Sequence, residues 1–281
     1  YRREHLHPLQ RSHYVISNGG DQPNVVPSSA SVWYFIREVS ADGIRNNFST
    51  LHQIAEGASL MTDTSMSRKI VGAAYPRHFN RPIALAMDEN IKKIGLPSWS
   101  ENDQQFAKAL QTLMGAEQPE GLATELAGIT PDLEQPISGG SDDIGDISWN
   151  VPTVTLRYPS NVRGLQGHHW SSAMAMATPI AHKGAIAGAK VMASTMLDLI
   201  SNDTLVEEAQ NYFDDVQTAE EQYRPFISPD DPPAIDKNQD IMAKFKPMLE
   251  ELYYDPDRFE TYLDQLGIDY PQLTPTEIRR N

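Results

Sequence analysis

The chain has 281 residues, 40% of them hydrophobic, and a formal net charge of -15. This length and hydrophobic content suffice for a soluble globular protein with one large or two ordinary domains. The negative charge argues against nucleic acid and anionic membrane surfaces as partners, because both require a cationic surface on the protein.

The first eighty residues alternate between strand and helix patterns. Residues 13–17 and 31–39 read as two strands, with a strong turn signal at residues 18–21, and we expect these strands to pair. Residues 46–61 carry apolar side chains at helical spacing, and residues 67–75 read as a further strand. This order is typical of an α+β sandwich.

Helical patterns dominate beyond Pro76. Pro82 suits the first turn of a helix that ends at Gly95, and Ser100 fits the N-cap of a helix over residues 101–114. The next stretch, residues 115–138, is rich in Gly, Pro and Glu and reads as an extended connection.

A strand is predicted over residues 151–158, and a long helical stretch follows over residues 171–200, with a break near Thr178-Pro179. Gly184 and Gly188 would allow another backbone to approach this helix closely. The remaining helices are predicted over residues 204–216, 242–254 and 257–266.

The stretch most easily mistaken for a membrane span is residues 180–200, but charged side chains interrupt it and its apolar side chains are mostly small. We interpret it as a buried helix. No signal peptide or cysteine is present, and we place the protein in the cytoplasm. Because the chain starts at Tyr1 rather than Met, we expect a preceding segment to be missing.

The last 81 residues, 201–281, hold 19 of the 38 acidic residues but only 7 of the 23 Lys and Arg, which gives this part a charge of -12. A solvated surface and a docking tail both remain open readings of this charge.

The stretch from Gly139 to Trp170 contains the strongest chemical signal. Asp142, Asp143 and Asp146 are crowded into residues 141–149, here called the acidic loop, and residues 167–170 read Gly-His-His-Trp. The aspartates could be metal ligands, residues that orient a ligand, or caps. His168 and His169 are equal candidates for metal ligation, and either could be an ordinary loop histidine.

A second histidine signal lies near the start of the chain. His13 stands in the first predicted strand and Asn24 follows the glycine turn, so the two could form a polar pair that binds an anion. A purely structural strand histidine is the alternative. His182 is predicted to lie in the core or behind a ligand, whereas the remaining histidines read as surface residues, namely His5, His7, His52 and His78.

Three pieces of the sequence together resemble one family. They are the run from Arg3 to Pro27, with Arg11-Ser12-His13 and Pro23-Asn24, the acidic loop with Asp143-Ile144-Gly145-Asp146, and Gly167-His168 with Trp170. In this order they resemble the aminoacylase-like zinc amidohydrolases (metallopeptidases), and within them the aminobenzoyl-glutamate hydrolase branch. The similarity covers residues 1 to about 216.

The resemblance implies an α/β fold. A zinc-aminopeptidase-like catalytic domain, with a mixed sheet between helices, is interrupted by an α+β lid that also forms a homodimer. Residues 1–78 would be the later part of the lid, residues 79–216 the C-terminal part of the catalytic domain, and residues 217–281 an acidic helical extension.

The resemblance also implies site roles. His168 aligns with the last metal ligand, and His13 with a lid histidine that reaches the partner's active site and stabilises the oxyanion. Asn24 matches a residue that contacts substrate, and Asp143 and Asp146 match cleft residues whose individual roles stay open. The cofactor would be two divalent ions, zinc or manganese.

The implied activity is metal-dependent hydrolysis of the amide in an N-acyl or aminobenzoyl amino acid, a small-molecule substrate. The family's earlier metal motifs and its general-base glutamate have no match here, and a single histidine cannot hold catalytic zinc. We therefore expect this chain alone to be inactive. The alternatives are a catalytically inactive member that serves dimerisation or ligand binding, and an enzyme that prefers a dipeptide or N-acetyl amino acid.

Overall fold

The computed structural model describes residues 5–129, 140–271 and 273, so Gly139 and the end of the connection predicted over 115–138 lie outside the described residues. The chain divides into two compact units, each built from three separate stretches. The first unit comprises Tyr1–His78, Ser138–Asn150 and Gln222–Ala234, and the second comprises Phe79–Ile137, Val151–Glu221 and Ile235–Asn281. Helices predominate, and a small sheet accompanies them, which is compatible with an α/β peptidase-like fold.

The sheet lies in the first unit and consists of strands β1, Arg11–Asn18, and β2, Ser31–Arg37, paired antiparallel as predicted. His13 stands opposite Phe35 in this register. All side chains of β1, and most of those of β2, are exposed although many are aromatic or β-branched. The hairpin therefore presents apolar surface on both faces.

Helix α1, Ala41–Thr62, follows the hairpin and confirms the helix predicted over residues 46–61. It begins earlier than the apolar pattern because the Ser40 side chain caps it, accepting a hydrogen bond from the Gly43 N–H. The side chain at the N-cap thus decides where this helix starts.

The strands predicted over residues 67–75 and 151–158 are wrong, because neither segment forms a strand in the described residues. In those residues β1 and β2 pair only with each other, so neither segment has a strand to join. The mixed sheet of the implied catalytic domain stays a prediction. The second segment packs against a helix instead of a strand. Tyr158 and Leu156 lie beside Gly188 of a long helix, and the segment is half-buried by that packing.

Two capped helices open the second unit. Helix α2, Arg81–Ile94, starts after Asn80, whose side chain accepts from the Ile83 N–H. Helix α3, Glu101–Leu113, begins with the reciprocal capping box of Ser100 and Asp103. The signals at Pro82 and Ser100 thus predicted both helices correctly.

A short helix that the sequence did not predict, α4, Ile144–Ser148, lies in the first unit. The second unit continues with α5, Trp170–Met176, α6, Pro179–Ser201, and α7, Asp203–Tyr212, which passes into a π-helical turn over Phe213–Gln217. These bounds confirm the predicted break before Pro179. Helices α8, Gln239–Glu250, and α9, Tyr262–Gln265, match the two short tail helices.

Close packing around α6 confirms the predicted backbone approach at Gly184, whereas Gly188 meets side-chain atoms instead. A Cβ on Gly184 would lie 2.1 Å from the Pro159 carbonyl oxygen, and one on Gly188 would lie 3.3 Å from Tyr158 Cβ. Only one face of α6 is buried, so the prediction of a buried helix holds for that face alone. None of the helices in the described residues combines the length and apolar character that a membrane crossing requires.

The core of the second unit lies where α3, α5 and the start of α6 meet. Fully or nearly fully buried apolar side chains form it, and partly buried Trp99 and Phe106 pack against it; its members are Ala107, Leu110, Leu122, Val162, Ala175 and Ile180. Asn80, which is fully buried, donates from its side chain to the Ala209 carbonyl and to Gln217 Oε1. Apolar packing thus holds α3, α5 and α6 together, and the buried amide joins the start of α2 to α7 and to the π-helical turn.

The Asp103 carboxylate is fully buried and accepts hydrogen bonds from the Lys183 ammonium at 2.5 Å, the Tyr270 hydroxyl at 3.1 Å and the Ser100 N–H at 2.7 Å. Burial alone would raise the pKa of Asp103, but hydrogen bonds from Lys183, Ser100 and Tyr270 together hold it below its usual value. The carboxylate therefore stabilises the folded state above the unfolded pKa, and this stabilisation is lost as the pH falls through the folded pKa.

We expect Asp103→Ala to lower the free energy of unfolding by about 3 kcal/mol, because it removes the capping box and leaves the Lys183 charge without its buried partner. Chemical denaturation at pH 7 measures this loss. Glu101→Ala, an exposed substitution in the same first turn, is the matched control and should cost far less. Equal losses for the two variants would contradict a central role for Asp103.

Candidate functional site

The acidic loop contains α4, and both carboxylate oxygens of its Asp146 accept hydrogen bonds. The Tyr75 N–H donates to Asp146 Oδ2 at 3.1 Å, and the Tyr223 hydroxyl donates to Asp146 Oδ1 at 2.8 Å. Burial of the Tyr223 hydroxyl is the largest cause that raises its pKa to about 12, and the hydrogen bond to Asp146 and the charge of Asp146 raise it further. Tyr223 is therefore a neutral donor at physiological pH.

The other two carboxylates of the loop are exposed and behave differently. Asp142 lies 3.3 Å from an Arg77 guanidinium nitrogen. Asp143 stands at the N-cap of α4, but its side chain makes no capping hydrogen bond and no other hydrogen bond within the described residues. Of the three aspartates, Asp143 has the carboxylate most available to a ligand.

Gly145 allows the loop to lie against the backbone of Tyr75. A Cβ at position 145 would stand 1.9 Å from the Tyr75 carbonyl oxygen. Ser148 donates to the Gly145 carbonyl at 2.7 Å, and the Trp149 indole N–H donates to the Pro76 carbonyl at 2.7 Å. Backbone contact and side-chain hydrogen bonds together fix α4 against the segment around Tyr75.

His168 and His169, equal candidates on spacing, differ in the structure. His169 is the N-cap of α5, and its Nδ1 accepts from the Ser171 N–H at 3.3 Å. His168 is exposed, has a left-handed backbone with φ of 57°, and makes no hydrogen bond within the described residues. A non-glycine residue in this conformation is unusual and occurs often at functional sites. The His169 side chain therefore caps α5, whereas the His168 imidazole is available to bind a ligand.

His13 and Asn24 both lie in the first unit and both are exposed. His13 projects from the exposed strand β1, and Asn24 lies in the connection between the strands. Neither side chain makes a hydrogen bond within the described residues, so the predicted polar pair is not formed in the single chain. Both remain accessible to a ligand or to a second subunit.

His182, predicted to lie in the core or behind a ligand, is instead exposed on α6. His78, predicted to be a surface residue, is half-buried against the Trp149 ring at 4.5 Å, and burial lowers its pKa. Within residues 5–129 and 140–271, no three His, Asp or Glu side chains are grouped as metal ligands would be. The described residues alone therefore do not fit a complete metal centre.

Two surface cavities, of about 540 and 340 Å³, lie in the second unit around α3 and the connection after it. Their lining residues include Trp99, Glu101 and Arg163. None of the site residues predicted from the sequence lines either cavity, so neither is a candidate active site.

Sequence reasoning missed Tyr75 and Tyr223. The sequence pattern places Tyr75 in a strand, but its ring is only 3% exposed and lies 5.1 Å from the Tyr223 ring and 4.8 Å from that of Phe226. Tyr223 falls in the predicted acidic extension, which hid its contact with Asp146. The aromatic residues Tyr223 and Phe226 within an otherwise acidic, Pro-rich stretch were the available signal.

No protein-family model matches the chain. It is 30% identical to a subunit of the p-aminobenzoyl-glutamate hydrolase of Escherichia coli (strain K12), over 74% of the chain and 48% of that protein. It is 24% identical to a mouse (Mus musculus) Xaa-Arg dipeptidase, over 75% of the chain and 42% of that protein. The human (Homo sapiens) Xaa-Arg dipeptidase is 25% identical, over 79% of the chain and 44% of that protein.

The chain spans about half the length of these curated relatives. Their names are those of hydrolases that act on an amide or peptide bond. The chain is therefore homologous to these hydrolases, which is consistent with an amidohydrolase or peptidase family member.

Proposed function

We propose that the complete gene product hydrolyses the amide bond between an acyl or aromatic acyl group and an amino acid. The observation that carries the proposal is that homologues named for two different substrates share this chemistry. One is named for p-aminobenzoyl-glutamate and the other for dipeptides that end in arginine. In both substrates an amino acid supplies the amide nitrogen.

An aminobenzoyl-glutamate-like compound is the proposed substrate, since the relative with that name has the higher identity. A panel containing aminobenzoyl-glutamate, an Xaa-Arg dipeptide and an N-acetyl amino acid tests this choice. The value of kcat/KM should be highest for the aminobenzoyl compound. A higher kcat/KM for the dipeptide or for the N-acetyl amino acid would instead favour that compound's class as the substrate.

Metal dependence is part of the proposal, with zinc or manganese in a two-ion site and His168 as one ligand. The exposure of His168, its left-handed backbone and the absence of a competing hydrogen bond within the described residues support this role. Three protein ligands are the usual minimum for catalytic zinc, and the described residues do not bring three together.

The roles proposed for the chain's own residues concern binding and charge. The amide of Asn24 is exposed, and the carboxylate of Asp143 makes no capping hydrogen bond to α4. Both are suited to contact a polar substrate. Asp146 is proposed to belong to the same cleft, with its carboxylate already bonded to Tyr75 and Tyr223. His13 would donate a hydrogen bond to the oxyanion that forms when the amide carbonyl is attacked.

We also propose that the protein is a cytoplasmic homodimer and that His13 acts in the active site of the partner subunit. Trp33 and Phe35 on β2 are about half exposed, and Tyr14 and Ile16 on β1 are more exposed still. Exposed apolar strands of this kind mark interaction sites, and a two-fold dimer would bury the same surface on both copies. Light scattering that finds only monomers would contradict this arrangement.

His13→Ala should lower kcat for amide hydrolysis about 100-fold, with a smaller change in KM, because an oxyanion donor acts mainly in the transition state. Steady-state kinetics of the complete gene product measure the effect. The His52→Ala variant, which changes a partly exposed histidine of α1 in the same unit, is the matched control and should keep normal kcat. Because His13 acts across the dimer, mixing His13→Ala with His168→Ala subunits should restore part of the activity.

A non-enzyme that keeps the fold for dimerisation or ligand binding is the alternative. Absence of turnover on the whole panel with added zinc or manganese would favour it. Isothermal titration with the same amides would then show whether ligand binding is retained.

A further inference from the structure

Asp146 and Asp143 lie in the same acidic loop, but the structure uses their carboxylates differently. Both oxygens of Asp146 accept hydrogen bonds from the protein, one from a backbone N–H and one from the Tyr223 hydroxyl. The carboxylate of Asp143 accepts none within the described residues. The two residues therefore need not share one role.

The donor Tyr223 belongs to the stretch Gln222–Ala234, here called the return segment, which lies with the acidic loop in the first unit. Phe226 of this segment stacks on Tyr75 at 4.8 Å, and the Arg45 guanidinium lies 4.7 Å from the centre of the Phe226 ring. Arg45 also donates to the Arg224 carbonyl. The Tyr223 hydroxyl is thus held in place by several contacts along its own segment.

On the other side of Asp146, the position of α4 is tightly determined. Gly145 touches the Tyr75 backbone so closely that no side chain could be added, and the Trp149 ring packs at 5.3 Å against the Tyr75 ring. Asp146 and the N-terminal Asp143 belong to this same short helix, so the hydrogen bonds of Asp146 add to the contacts that orient Asp143.

We infer that Asp146 and Tyr223 are positioning residues, which fix α4 through the hydrogen bonds of Tyr223 and Tyr75 to the Asp146 carboxylate so that Asp143 meets the substrate. This inference rests on the proposed amide hydrolysis. It assigns Asp146 to orientation rather than to substrate contact or metal binding, and it makes the return segment part of the site.

The chemistry of an asparagine at position 146 separates these roles. An amide oxygen still accepts from the Tyr75 N–H, and the amide nitrogen can donate to the Tyr223 oxygen, whose hydroxyl proton can rotate away. Asparagine thus preserves both contacts and removes the charge. A metal ligand or a charged substrate contact depends on that charge, whereas a positioning residue does not.

The test compares Asp146→Asn, Asp146→Ala and Tyr223→Phe in the complete gene product with aminobenzoyl-glutamate as substrate. We expect kcat/KM to fall about 30-fold in Asp146→Ala, about 5-fold in Tyr223→Phe and only about 3-fold in Asp146→Asn. The double variant Tyr223→Phe with Asp146→Ala should be no worse than Asp146→Ala, because the two side chains act as one unit. Tyr253→Phe, an exposed tyrosine whose hydroxyl makes no hydrogen bond within the described residues, is the control.

Two kinetic results would overturn the inference. An Asp146→Asn variant as impaired as Asp146→Ala would show that the charge itself is required. Multiplying losses in the double variant would show that Tyr223 does not act through Asp146.

Hydrogen exchange of the Tyr75 amide gives a readout that does not depend on turnover. Its protection should be lost in Asp146→Ala, reduced in Tyr223→Phe and kept in Asp146→Asn. Unchanged protection in Asp146→Ala would refute the inference even if the protein hydrolyses every amide offered. Lack of turnover in the unsubstituted protein, with the expected exchange pattern, would instead refute the proposed function while leaving the support of α4 by Asp146 in place.

Discussion

Substitution of His168 by alanine should lower amide hydrolysis by the complete gene product at least about 1000-fold, because a missing ligand removes the ion on which the proposed reaction depends. The bound metal, measured by elemental analysis after gel filtration, should fall in parallel. Of the changes considered, we expect this one to have the largest effect on activity. His168 also has a left-handed backbone with φ of 57°, a strained conformation for a residue other than glycine that clusters at active sites.

Two neighbouring histidines provide controls for this experiment. His182→Ala changes an exposed histidine of α6 and should leave metal content and turnover normal. His169→Asn replaces one N-cap residue by another and should largely retain both. If His168→Ala keeps its metal and its turnover while His169→Asn loses them, the assignment of the ligand is wrong.

Gly145→Ala should lower the free energy of unfolding by about 3 kcal/mol, since the added methyl group would stand 1.9 Å from the Tyr75 carbonyl oxygen. The Cβ position is fixed by the backbone of residue 145 and the atom that it meets is a backbone oxygen, so no side-chain rotation can relieve the clash. Denaturant titration of the chain measures the change. We expect aromatic fluorescence to shift as well, because Trp149 packs against Tyr75.

Gly57→Ala is the matched control for this prediction. Gly57 also lies in a helix, α1, but nothing lies within 4 Å of the position that its Cβ would occupy. Alanine should therefore stabilise the protein there by about 0.5–1 kcal/mol. Similar effects of the two substitutions would show that the close approach at Gly145 does not control stability.

The sequence indicated those parts of the fold that depend on local interactions. Pro82 lies in the first turn of α2, Ser100 caps α3 through its side chain, and Pro179 begins α6. Gly184 signalled a close backbone approach from the residue type and its spacing alone. Such features involve neighbouring residues or a simple steric requirement, and they can be read without a tertiary structure.

The strands over residues 67–75 and 151–158 could not be judged in this way, because a strand exists only when another strand pairs with it. The second segment instead packs beside α6, where Leu156 and Tyr158 lie next to Gly188. Short α4 was missed for a related reason. Its five residues are held mainly by Tyr75 and Tyr223, which are distant in the sequence.

The same distinction between local and long-range interactions applies to the candidate site. Residue types and the family resemblance singled out His13, Asp143 and His168, and these side chains are exposed in the structure. The distinction between His168 and His169 required the helix that His169 caps. Likewise, the partners of Asp146 come from segments that are 71 and 77 residues away, and no local pattern could reveal them.

The assembly of the first unit from three separated stretches also constrains the order in which the protein can fold during synthesis. The ribosome releases the hairpin and α1 early, then the acidic loop, and the return segment only after most of the second unit. Until Tyr223 and Phe226 have emerged, Asp146 lacks one donor and the Tyr75 ring lacks its stacking partner. Contacts across such long loops form late because they carry a large closure entropy. The acidic loop should therefore be among the last parts of a newly made chain to become ordered.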